Sequence, residues 1–93
     1  MSVFEEYVDQ VETALLSYVE HGSDQELFLS SYLQGHVDVV IAEHFIQQCY
    51  QPQSVYDAVK SSLATAFENQ ELEQDDQVQV QSMWSALHTR ALS

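Results

Sequence analysis

SVFEEYVDQVETALLSYVE, residues 2–20, is the stretch whose reading decides the fold. At about 100° per residue, Val3, Phe4, Tyr7, Val8, Val11, Ala14, Leu15, Tyr18 and Val19 fall on one arc of roughly 160°. Glu5, Glu6, Asp9, Glu12 and Glu20 fall on a separate arc of about 120°. The stretch is therefore a helix with one face for a core and one face of carboxylates. His21-Gly22 ends it, with Gly22 suited to the left-handed position after a helix C-terminus.

Working outward, Ser23-Asp24-Gln25-Glu26 is a capping box that opens a second helix, read to about Gln48. Val37, Val39, Val40, Ile41, Ala42, Phe45 and Ile46 make its middle apolar nearly all round, which predicts the most buried helix of the set. Gly35 lies inside it at a cost of about 1 kcal/mol relative to Ala, which predicts a close helix crossing or a bend there. Gln51-Pro52-Gln53 reads as a turn, and Ser54-Val55-Tyr56-Asp57 as the cap of a third helix carrying Val55, Tyr56, Val59, Leu63, Ala66 and Phe67 on one arc. Residues 69–73 connect to a fourth helix, about Gln74 to Leu92, with Val80, Met83, Trp84, Leu87 and Ala91 as its core stripe. Two Gly and one Pro in 93 residues leave little room for many short strands. Four amphipathic helices on short connections predict an all-α, up-and-down four-helix bundle, one domain over residues 1–93, with the second helix central.

Ser23-Asp24, Glu26-Leu27-Phe28, Tyr32-Leu33-Gln34-Gly35-His36 and Ile41-Ala42-Glu43, with Met83-Trp84 late in the chain, resemble the bacterial YfcL family over essentially the whole length. The resemblance implies a small helical cytoplasmic protein. It brings no catalytic or binding motif, so no functional residue carries over.

Charge narrows the function. Fifteen Asp and Glu stand against one Lys and one Arg, a formal net charge of -13. Lys60 and Arg90 cannot neutralise a run of phosphates, so direct nucleic-acid binding and docking on an anionic membrane are excluded. A basic partner or a cation remains, and self-repulsion favours a monomer or at most a weak dimer. Cys49 stands alone, so there is no disulfide framework. The N-terminus lacks the basic and apolar regions of a secretory signal, and Val37–Ala42 is too short to cross a bilayer, so a cytoplasmic location is expected.

Motifs for chemistry are sparse. None of the four His has a carboxylate or second His three or four residues away within one helix, the spacing of helical metal sites, so no metal or cofactor is expected. His36 and Glu43 share a face but stand about 10 Å apart along the axis, beyond the reach of one ion. There is no nucleophile elbow and no phosphate loop, and Cys49 has no basic neighbour to activate it, so the reading leans away from an enzyme. A small pocket over Gly35, lined by His36 and Glu43, is the one candidate ligand site. Trp84, Tyr32 and Tyr18 read as core or half-buried aromatics.

The carboxylates divide. Glu5, Glu6, Asp24, Glu26, Asp57, Asp75 and Asp76 lie in first turns, where each complements the helix dipole by roughly 0.3–1 kcal/mol. Glu68, Glu71, Glu73, Asp75 and Asp76 crowd residues 68–76, and Glu5, Asp9 and Glu12 form a row on the first helix. These eight are the candidate interaction residues of a non-enzymatic module for a basic or amphipathic protein. The row Glu5, Asp9, Glu12 also admits a nucleic-acid-mimicking inhibitor of a DNA-binding protein, since its steps of about 6 and 4.5 Å approach phosphate spacing.

Overall fold

A computed structural model describes residues 2–93. It contains four helices in chain order: α1 (Val3–His21), α2 (Asp24–Ile46), α3 (Pro52–Glu68) and α4 (Gln74–Leu92). Consecutive helices pack against one another, α4 closes onto α1, and α2 and α4 touch across the diagonal. The fold is the all-α four-helix bundle that the amphipathic periodicity implies, with α2 in contact with all three other helices.

Local chemistry sets the ends. Ser2 and Ser23 each complete a capping box with the Glu three residues on, so two orphan donors per helix are satisfied. Gly22 closes α1 in extended conformation at φ -82°, not in the left-handed one its sequence suggests. Glycine is needed there for space, because a Cβ would lie 2.6 Å from the Tyr18 carbonyl oxygen. The left-handed positions fall instead on Gln48 (φ 57°) and Gln70 (φ 59°). Both build Schellman turns: Gln48 N donates to Phe45 O and Cys49 N to His44 O, and Gln70 N to Phe67 O and Glu71 N to Ala66 O. A side chain in this region costs about 1–2 kcal/mol. Gln48→Gly and Gln70→Gly are each expected to raise unfolding free energy by about 0.5–1 kcal/mol in urea titrations. A loss of stability in both would contradict the strained-cap reading.

The start of α3 corrects the sequence. Pro52 is its first residue and Gln51 its cap, three residues before the expected cap Ser54. Proline at this position has its φ preset and no amide to leave unpaired. The Ser54 hydroxyl does not cap the helix; it lies 2.9 Å from His44 Nε2. Asp57 therefore falls in the second turn, and six carboxylates rather than seven occupy first turns.

The core joins all four helices around Trp84, which is fully buried, as are Val11, Leu33, Val37, Val55, Val59, Leu63 and Val80. The Trp84 indole N–H donates to Tyr56 O at 3.2 Å, and its ring stacks on Tyr56 with centroids 6.0 Å apart. The expectation that α2 is buried nearly all round is corrected. Val39 is 58% exposed, Phe45 41% and Ile46 81%. In a bundle of four each helix keeps an outer face, and α2 keeps an apolar one. A Cβ on Gly35 would meet nothing within 4 Å, so no helix crosses closely there. Val3 and Val19, placed on the α1 core arc from sequence, are also exposed, because they lie at its two margins.

Candidate interaction surface

Glu5, Asp9 and Glu12 project from the exposed face of α1, one or two turns apart. With Val8 and Phe45 they line a shallow groove of about 240 Å³ between α1 and the C-terminal end of α2. Glu5 and Phe45 also line a larger open groove of about 610 Å³, completed by Ser2, Val3, Phe4 and Tyr50. The two grooves thus adjoin, with Glu5 and Phe45 in both linings. The Schellman turn at Gln48 folds Tyr50 back toward α1, where Phe4, Phe45 and Tyr50 form an aromatic cluster. Centroids are 5.4 Å apart for Phe4–Phe45, 5.6 Å for Phe4–Tyr50 and 6.1 Å for Phe45–Tyr50. Phe4 is buried, while Phe45 and Tyr50 present open ring surface.

The 68–76 stretch lies by the N-terminal half of α2, at the far end of the bundle from this groove. Glu71 accepts a 2.9 Å hydrogen bond from the Tyr32 hydroxyl, and Asp76 a 2.7 Å bond from Gln25 Nε2. Burial, with Glu71 adding to it, pushes the Tyr32 hydroxyl up to about 12. These two carboxylates pin the connection to α2, while Glu68, Glu73 and Asp75 are exposed without such bonds. The two acidic regions are separate surfaces.

Gly35 and His36 line a shallow open depression of about 300 Å³ with Tyr32, Val39 and Ser62. Glu43 is exposed and takes no part in it. His36 Nδ1 is 2.6 Å from the Ser62 hydroxyl. Among the described residues no three His, Cys, Asp or Glu come together as metal ligands, and no helix is long and apolar enough to cross a membrane. No described carboxylate pairs with Lys60 or Arg90; the one short contact of this kind is His21 to Glu20, 3.6 Å, in solvent. Lys60 instead sits 5.3 Å from the Tyr56 ring centroid.

Two buried histidines exceed what the sequence suggested. His44 is buried, with Nδ1 2.8 Å from Val40 O and Nε2 2.9 Å from Ser54 Oγ. Its position on the arc of Leu33, Val37 and Val40 is the signal that marks it as inward-facing. A Ser–His pair of this kind resembles two members of a nucleophilic triad, but its other ring nitrogen faces a carbonyl rather than a carboxylate. Neither residue lines the grooves described above. The pair ties α2 to the start of α3.

His88 is buried beneath Tyr56, with Nδ1 2.7 Å from the Tyr7 hydroxyl. Burial holds its imidazole below the ordinary value, against a weaker upward pull from Asp57. The fold thus favours the neutral ring, and the unfolded chain takes up a proton first. Stability from this group is present above about pH 6.5 and is lost as pH falls below it. Urea midpoints measured at about pH 7.5 and about pH 5.5 are expected to drop for the native chain and to drop less for His88→Gln. An equal drop in both would assign the effect elsewhere.

With this geometry in view, two comparisons bear on ancestry. The model of the YfcL protein family matches residues 5–89. The chain is 36% identical over 86 residues to a protein of Escherichia coli (strain K12) named "Uncharacterized protein YfcL", covering 92% of this chain and 94% of that one. No solved structure matches the chain.

Proposed function

The chain belongs to the YfcL family, and we propose that it is a non-enzymatic interaction module that binds a basic or amphipathic protein. One observation carries this reading. Among the described residues no cation pairs with Glu5, Asp9 or Glu12, yet they share a groove with the apolar side chains of Val8 and Phe45. Such a row costs stability through like-charge neighbours at i+3 and i+4. It complements a partner that presents Lys or Arg beside apolar side chains. The same floor disfavours a nucleic-acid mimic, because a phosphate backbone offers a receptor charge without an apolar seam.

The test is retention of a cell extract on the immobilised chain at low salt, followed by a salt gradient and identification of the eluate. The expected partner is basic and leaves as ionic strength rises, because exposed charges lose contact beyond a Debye length of about 10 Å at 0.1 M salt. A partner whose retention ignores salt would sink the reading.

A further inference from the structure

We infer that the two adjoining grooves between α1 and the C-terminal end of α2 receive a single basic amphipathic helix; this rests on the proposed binding of a basic partner and specifies its shape and its seat. Glu5, Asp9 and Glu12 form a rail along α1 with steps of four and three residues, about 6 and 4.5 Å along the axis. A helix lying alongside offers Lys or Arg with the same rise, at i, i+4 and i+7 or the reversed order. Asp9 and Glu12 then each meet a cation, and Glu5, whose Oε1 also accepts from Ser2, meets a third. An extended peptide, with same-face residues about 6.6 Å apart, fits the first step but overshoots the second by about 2 Å.

The apolar half of the seat follows the same line. Val8 and Phe45 line the groove beside the rail, and Glu5 and Phe45 also line the larger groove that Tyr50 completes. A large apolar side chain about one turn beyond the basic residues reaches this aromatic surface. Charge along one edge and an aromatic anchor at one end give the helix a direction as well as a place. This is the helix-in-groove mode of recognition. A second copy of the chain does not fit, because its only two cations, Lys60 and Arg90, lie on different helices and it carries the same -13 charge.

The test is an NMR titration of the isotopically labelled chain at low salt. The probe is a synthetic amphipathic helix of about 20 residues, long enough to be helical, with Lys at i, i+4 and i+7 beside a Leu/Phe face. A peptide of the same composition in scrambled order is the control. The expected result is shifts confined to residues 3–12 and 41–50, with the scrambled peptide at least about tenfold weaker. Phe45→Ser, at an exposed side chain, and Asp9→Asn with Glu12→Gln are each expected to weaken binding about tenfold while leaving the helical spectrum intact. Equal binding of both peptides, with shifts spread over residues 68–76 and α4, overturns the groove and leaves the basic-partner reading standing. No binding of either peptide at low salt overturns both.

Discussion

Trp84→Ala is expected to lower the unfolding free energy by about 3–5 kcal/mol. Trp84 is the largest fully buried side chain and belongs to the core to which all four helices contribute. Its removal deletes the stacking on Tyr56 and the indole hydrogen bond to Tyr56 O, and it opens a cavity that the surrounding valines and leucines are too short to fill. His88 loses an aromatic neighbour in the same step. Small domains have about 5–15 kcal/mol in total, so the variant is expected at or near the edge of folding. Urea unfolding followed by circular dichroism reads the effect. A loss under about 1 kcal/mol would mean that the bundle does not close around this residue as described.

Asp9→Lys is expected to move stability and binding in opposite directions. Asp9 has Glu5 at i-4, Glu6 at i-3 and Glu12 at i+3, so three like-charge pairs become three attractive ones. The Glu5–Lys order at four residues is the favourable one along a helix. At a few tenths of a kcal/mol per pair on each side of zero, the gain is about 1 kcal/mol. The same change puts a cation in the middle of the acidic rail, and the affinity for a basic helix is expected to fall by about a hundredfold at low salt. Thermal unfolding and peptide binding on one preparation give both numbers. A variant that gains stability and still binds as the native chain does would show that the row serves no partner.

The sequence carried the bundle because α1, α3 and α4 each state an inward face by periodicity. In α1 the apolar and acidic arcs do not overlap, and its boundaries follow within a residue. Where reading failed, a tertiary contact outcompeted a local rule. Ser54-x-x-Asp57 has the form of a cap, but Pro52 starts α3 earlier and the serine hydroxyl turns to His44. Gly22 looks like a left-handed cap, but two glutamines take that conformation and Gly22 serves a close approach to Tyr18. The apolar middle of α2 signals burial on every side, yet a bundle of four can cover only part of any helix, so Val39 and Ile46 reach solvent.

The candidate site was half legible. Glu5, Asp9 and Glu12 stand out in the sequence as a row, because their spacing is local. Phe45 and Tyr50 did not join them, because their place depends on how α2 ends and on the antiparallel packing of α1 against it. The 68–76 stretch looked like one acidic patch, and the structure divides it into carboxylates held by Tyr32 and Gln25 and carboxylates left in solvent.

On the proposed reading, Glu5, Asp9 and Glu12 of α1 hold a basic partner. The most direct measurement of this claim is the affinity of the native chain for a fluorescent Lys-bearing amphipathic helix, followed by anisotropy from about 0.02 M to about 0.3 M salt. The expected result is clear binding at the low end and a loss of at least about tenfold across the range. Affinity that stays level with salt, or no binding at the low end, would contradict the claim.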